Sequence, residues 1–358
     1  MINPIILKNG YVVNTKSLKI EKRDIAILDG KIFKLEDLMQ LKDLEFIDVE
    51  GCYIVPGFIE LDVQVVKDII KQGIELDLIR LQQGVASLEA GGAGVSNFSI
   101  FKEDVFYQRG PEILSFLNIS RKGLYHEISE IKELSDLMKN EIVRELMSQF
   151  GIICLIVRVS SLVVNDGGIK TLEYARILAD VLSIPIMIYP GNPPPNLEEI
   201  FTFIKKGDWV THTFINKKYG EISDSDEMLP GAIIGQEKLG ISFETMKKFK
   251  SSYDFPFTIC IKLYVKYDEN PISSLVKKMH KLQDCGYPLE MIVKNFTKNS
   301  TDLKKQKTFS PGNRANLIVF ELVSEDVNLL DPEGKELICK KLLKPKFIFR
   351  EGEVVIIK

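Results

Sequence analysis

The chain predicts an α/β fold, a parallel barrel flanked by a small β domain made from both chain ends. Three observations carry that prediction. The first fifty or so residues are short apolar strands divided by turn dipeptides. From Pro56 onward, apolar strands alternate with helical stretches, and beyond Ser310 the strand-and-turn texture returns. At 358 residues the chain also exceeds what one hydrophobic core usually serves, so two domains are expected.

The N-terminal strands are "PIILKNGYVV", "DIAILDGKIFKL" and "EFIDVEGCYIV", with Asn-Gly, Asp-Gly and Glu-Gly as turn signals, and they read as an antiparallel unit. Helical stretches follow in "DLIRLQQGVASLEAG", "IKTLEYARILADVL", "NLEEIFTFIKKG" and "ISSLVKKMHKLQDCG". Strands alternating with helices over this length call for a parallel sheet, and a barrel is its closed form. The most apolar run, "GIICLIVRVSSLVV", is broken by Arg158 and falls short of the roughly 20 residues a bilayer crossing needs, so it reads as a core strand. "EAGGAG" lacks the flanking pattern of a phosphate-binding loop and reads as a tight barrel loop. Near the C-terminus come "ANLIVFELV" and "PKFIFREGEVVIIK". Neither terminal β region buries a face alone, so residues 1–55 and 308–358 are expected to form one composite β-sandwich beside a barrel of residues 56–307.

Charge is nearly balanced, 47 basic against 50 acidic residues, which leaves no electrostatic footprint for nucleic acid or an anionic membrane. The start, "MINPIILKNGYVV", has no signal-peptide pattern. Five scattered cysteines without a Cys-x-x-Cys pair fit a reducing compartment, so a cytoplasmic location is expected.

One stretch raises the question of chemistry. In "GFIELDVQVV" Asp62 and Gln64 stand two apart among apolar residues. On a strand such residues share a face, so both side chains are expected to point into whatever the strand lines.

The layout, with "LKNG", "DIAILDGKI", "GCYIVPGFIELDV", "GVASLEAGGAGVSNF", "FLNISRKGL", "NDGGIKTLEYA", "PGNPPPNLEEI", "KGDWVTHTF" and "PGNRANLIVFEL" in that order, resembles the amidohydrolase superfamily, especially its dihydroorotase-like and deacetylase-like metallohydrolases. The resemblance covers nearly the whole chain. It implies a (β/α)8 TIM-like barrel that hydrolyses amide, imide or amine bonds with one or two divalent metals, such as zinc, held at the C-terminal mouth. It further implies as ligands a His-x-His on the first strand, a carboxylated lysine and two later histidines, with a catalytic aspartate on the last strand.

Carried over position by position, the resemblance puts the His-x-His on Asp62 and Gln64, the lysine on Ile156, the next histidine on Tyr189 and the aspartate on Lys262, while His212 is kept. The chain has only three histidines, and His126 and His280 fall outside the ligand motifs. Asp62 and His212 make two ligands at most, and Gln64 is a poor one for zinc, so no cofactor and no metal-ligating residue are expected. Asp62 and Lys262 are expected to form an internal ion pair where the metals stood, since either charge buried alone costs several kcal/mol by usual estimates. Arg158, Asn192 and Asn97 match family positions near the substrate mouth; they either keep a small binding cleft or serve structure, Arg158 pairing with a carboxylate and the asparagines closing turns.

Three functions follow. The first is a pseudoenzyme that has lost metal-dependent hydrolysis of amide or cyclic amide bonds and binds a small molecule at the barrel mouth, or a partner such as an active paralogue. There Arg158, Asn192, Asn97, Tyr189, Asp62 and Gln64 are the binding residues. The second is a remodelled hydrolase in which Lys262, Tyr189, Asp62 and His212 do acid/base work, Lys262 and His212 being catalytic. The third is an assembly subunit, since relatives of this fold oligomerise through barrel helices, as a homo-oligomer or with a paralogue.

Overall fold

The computed structural model describes residues 4–63, 85–90, 93–98, 112–123, 131, 136–137, 139–161, 168–205, 207–210, 279–280, 282–297, 309–330 and 336–356. Among these residues, no helix is long and apolar enough to cross a membrane.

The chain opens with β1 (Ile5–Lys8), β2 (Tyr11–Asn14), β3 (Lys19–Lys22), β4 (Ile25–Leu28), β5 (Lys31–Phe33), helix α1 (Leu35–Leu38), β6 (Glu45–Asp48) and β7 (Tyr53–Pro56). It closes with β14 (Leu317–Leu330), β15 (Glu336–Arg350) and β16 (Glu353–Ile356). These strands form two sheets, β5-β4-β1-β6 and β16-β15-β14-β7-β2-β3. A shared core that includes Leu7, Ile27, Ile54, Leu317, Val319 and Phe349 lies between them. Strands from the two chain ends meet where Tyr53 pairs with Phe320 and Pro56 with Leu317.

The turn dipeptides do two different jobs. Asp29-Gly30, both at positive φ, joins β4 to β5 as an antiparallel hairpin, and Glu351-Gly352 does the same for β15 and β16. The Asn9-Gly10 and Glu50-Gly51 turns instead pass the chain from one sheet to the other, because β1 pairs with β6 in parallel and β2 with β7 in parallel. The expected antiparallel unit is therefore corrected to a mixed sandwich. A turn dipeptide sets a local reversal, and the choice of neighbour is made by which face finds the core.

Six parallel strands follow, β8 (Phe58–Val63), β9 (Val85–Ala90), β10 (Glu112–Asn118), β11 (Ile152–Val159), β12 (Ile186–Pro190) and β13 (Trp209–Val210), side by side in sequence order. One expectation fails here: within "DLIRLQQGVASLEAG", residues 85–90 are strand β9 rather than helix. Their pairing to Phe58–Val63 on one side and Glu112–Ser115 on the other overrides the helical spacing. The connecting helices are α2 (Asn140–Phe150), α3 (Gly168–Leu182) and α4 (Leu197–Phe201), and α5 (Leu289–Thr297) comes later in the chain. Helix α2 stops at Gly151, which is left-handed at φ 58 and donates its N–H to Met147. Helix α4 starts from a reciprocal capping box between Asn196 and Glu199.

Alternation along these strands divides the packing into two layers. Leu155, Val157 and Val159 of β11 join Leu172, Ala175 and Leu178 of α3 in the layer between strands and helices. Cys154 and Ile156 face the other way, into a separate cluster with Phe116, Met187, Tyr189 and Trp209. Phe116 and Trp209 stack with ring centroids 5.7 Å apart although β11 and β12 lie between their strands. That contact spans the concave side of the sheet, as the inside of a barrel requires.

Two polar contacts tie the layers together. Asp208, just before β13, accepts from the Ile186 and Lys205 N–H groups and from Arg176 of α3. His280 is buried, and its Nε2 accepts the Leu343 N–H of β15 at 2.8 Å, joining residue 280 of the central region to the C-terminal strands. Burial lowers the pKa of His280 from 6.5 to about 4, with Asp284 pulling it partly back up. Because the folded value lies below the unfolded one, the unfolded chain gains a proton that the folded chain refuses as pH falls from 6.5 toward 4. Stability is thus expected to drop through that window, by on the order of 3 kcal/mol at most, and to level off below it. Urea titrations of the wild type and of His280→Gln, which keeps an acceptor and does not titrate, measure this; an equal slope in both removes His280 as the cause.

Candidate functional site

The C-terminal ends of the parallel strands form the rim where this architecture places its sites. The inward face of β11 carries Cys154, Ile156 and then Arg158, since residues two apart share a face. Ile156 is fully buried, in register with Asn118 of β10 and Met187 of β12. Arg158, half-buried, is the register partner of Tyr189, which is 6 % exposed and belongs to the inward cluster. The structure therefore brings Arg158 and Tyr189 together on adjacent strands, above a hydrocarbon layer topped by Ile156.

Asn192 sits just beyond β12, and backbone contacts fix it: its N–H donates to Ser160 Oγ, and its carbonyl accepts the Ser161 N–H. Gly191 beside it has no room for a side chain, because a Cβ would lie 2.6 Å from Ser160 Cβ. Asn192 itself is exposed at the rim. Asn97 ends a short 3-10 turn, Val95–Asn97, after β9, and its side chain lies outside the described residues. Gly94 before that turn abuts the loop after β10, where a Cβ would lie 2.3 Å from the Ser120 carbonyl oxygen. "EAGGAG" is thus a close-packed loop where described.

Of Asp62 the backbone is described. Leu61 pairs with Glu89 and Val63 with Ala90, so Asp62 is the extra residue of a bulge in β8. The side chain of Asp62 and all of Gln64, His212, Lys262 and His126 lie outside the described residues, and so does the expected Asp62 to Lys262 ion pair.

Sequence reasoning missed the polar residues packed at the strand ends. Asn118, Ser120 and Ser160 are buried, and Asn118 Oδ1 accepts the Ser120 N–H at 2.8 Å. The signal was present in "FLNISRKGL", where polar residues follow an apolar strand at the position where a barrel strand reaches its mouth.

No family model matches the chain. It is 27 % identical to a deacetylase of Agrobacterium fabrum over 372 aligned residues, covering 98 % of this chain and 91 % of the relative. Among solved structures, a dihydroorotase superposes with a TM-score of 0.86 at 25 % identity, covering 99 % of this chain and 98 % of the other. An adenine deaminase gives the same TM-score at 24 % identity, covering 99 % and 100 %. These likenesses run over nearly the whole chain and support a place beside the amidohydrolase superfamily, and the central region has the TIM-barrel fold of the solved dihydroorotase and adenine deaminase.

These relatives correct the expectation that no cofactor is involved, because dihydroorotase and adenine deaminase are metal-dependent hydrolases. The described residues at the mouth do not match such an ion. Ile156 offers only hydrocarbon, Tyr189 a phenol, and among the described residues no three His, Cys, Asp or Glu side chains cluster as a metal site would require.

Proposed function

We propose that this amidohydrolase-like protein keeps the family's barrel mouth as a small-molecule-binding or partner-binding site and has lost the family's hydrolysis of amide and cyclic amide bonds. One observation carries the reading: Ile156, where the resemblance places the carboxylated lysine, is fully buried in an apolar layer with Phe116, Met187 and Trp209. A branched hydrocarbon there can neither be carboxylated nor hold a reacting oxygen. Arg158, Tyr189 and Asn192 remain around the mouth as binding groups, joined in this reading by Asn97, Asp62 and Gln64.

The test is turnover. Purified full chain, supplied with zinc, manganese or cobalt, is assayed against N-acetyl amino acids, dihydroorotate and adenine, beside an active deacetylase. The expected result is no hydrolysis above background. Turnover within about 100-fold of the active enzyme, roughly 3 kcal/mol in barrier, overturns the proposal. Turnover that disappears on Tyr189→Phe supports the remodelled hydrolase instead. Light scattering on the same preparation, alone and mixed with an active paralogue, decides between a homo-oligomer and a paired assembly.

A further inference from the structure

Away from the barrel mouth, and whatever that mouth binds, we infer that the outer edge of β14 takes up an extended, lysine- or arginine-rich segment of another protein by strand addition. β14 pairs with β7 from Leu317 to Phe320, whereas its pairing with β15 runs on to Leu330. From Glu321 onward the two strands therefore form a ribbon with unequal sides. β15 is the inner strand: Cys339, Leu342 and Leu343 are buried in the main core, and the Leu343 N–H donates to His280. β14 is the outer strand. Its Glu321, Leu322, Ser324, Glu325, Asp326 and Asn328 are exposed, and among the described residues β15 is its neighbour on one side while the other side is open. An edge of that length presents backbone N–H and C=O groups as a template for one more strand.

Charge decides which strand fits. β14 carries Glu321, Glu325 and Asp326 but no lysine or arginine, and Glu325 and Asp326 lie in the bulged stretch between Ser324 and Val327. Two copies of this edge laid antiparallel about those acids set carboxylate against carboxylate, an arrangement that destabilises cross-strand pairs. A second copy of the chain is therefore a poor occupant. The ribbon itself shows the favoured one: β15, the strand that β14 does accept, carries Lys340, Lys341 and Lys344, and Lys344 forms an ion pair with Glu325. Glu321 and Asp326 have no ion pair among the described residues, so both remain for a basic strand on the open side. Leu322, 36 % exposed, adds an apolar contact for it.

The probes are three fluorescein-labelled peptides titrated with the full chain: one of alternating lysine and valine, its glutamate–valine counterpart, and the lysine–valine peptide N-methylated at alternate residues, which keeps the charge but cannot extend the ladder. Anisotropy reads binding, and amide hydrogen exchange of the protein reads its place. The lysine peptide is expected to bind at least 10-fold tighter than the glutamate peptide, about 1.4 kcal/mol, and to slow exchange within Glu321–Leu330. The methylated peptide should not bind measurably. Glu321→Lys with Asp326→Lys, which leaves the Glu325–Lys344 pair in place, should abolish the preference for the lysine peptide, circular dichroism confirming the fold. The methylated peptide and the exchange map test the edge without any substitution. No binding of the lysine peptide, equal binding of the lysine and glutamate peptides, undiminished binding of the methylated one, slowed exchange elsewhere than β14, or an unchanged preference in the folded double variant overturns the inference. Dimerisation of the chain alone that slows exchange in β14 makes a second copy the occupant and overturns it as well. Turnover at the barrel mouth bears on none of these outcomes.

Discussion

Replacing Asp208 with alanine is expected to destabilise the protein by roughly 3–5 kcal/mol, the largest loss we foresee from a single truncation. Asp208 is 2 % exposed and takes three donors: the Ile186 N–H at 2.9 Å, the Lys205 N–H at 2.7 Å and Arg176 Nη1 at 2.6 Å. Burial pushes its carboxyl above the usual range, while those donors pull it back down. Alanine leaves the buried Ile186 N–H and the part-buried Lys205 N–H without their acceptor and a nearly buried Arg176 with Asp180 alone as its ion-pair partner. Because Ile186 opens β12 and Lys205 leads toward β13, the register of two barrel strands depends on the same carboxylate. Asp208→Asn, which keeps one acceptor, should cost about half as much. Melting curves of the two variants check this, and a loss below about 1 kcal/mol for alanine contradicts the assigned role.

The second large effect is expected from Ile156→Lys, which restores at that position the side-chain type the family resemblance implies. An ammonium placed at a fully buried site among Phe116, Cys154, Met187 and Trp209 has no described carboxylate in its cluster, and the loss is expected at roughly 3–5 kcal/mol. Ile156→Val serves as the control and should cost only about 0.5–1.5 kcal/mol. Denaturant titration followed through Trp209 compares the two. A lysine tolerated as well as valine means that the layer admits water or a counter-charge, and the structural argument against hydrolysis then fails.

The parts of the fold that were legible in the sequence rest on strong local signals. Asp29-Gly30 and Glu351-Gly352 are true hairpins because residues tolerant of positive φ stand where a tight reversal needs them. The apolar run through Ile152–Val159 is a buried strand, and Gly168–Leu182 a helix with a buried face. What escaped is non-local. Nothing near Asn9-Gly10 says that β1 and β2 belong to different sheets, and the acidic segment after Phe320 continues as strand only because β15 pairs with it through Leu330. At the strand ends, Arg158 and Tyr189 are register partners on β11 and β12, which only the pairing of the two strands sets, and the bulge at Asp62 likewise depends on pairing with β9, which composition does not encode.

The pairing of Tyr53 with Phe320 has a consequence for synthesis. On the ribosome, β7 emerges long before β14 exists, and at about 5–20 residues per second the wait lasts on the order of tens of seconds. Throughout that delay one edge of the N-terminal sheet stands open to any other extended chain. Lys19, Glu21 and Lys22 on exposed β3 place charges along the opposite border, a guard against clumping while the nascent polypeptide waits for its last strands.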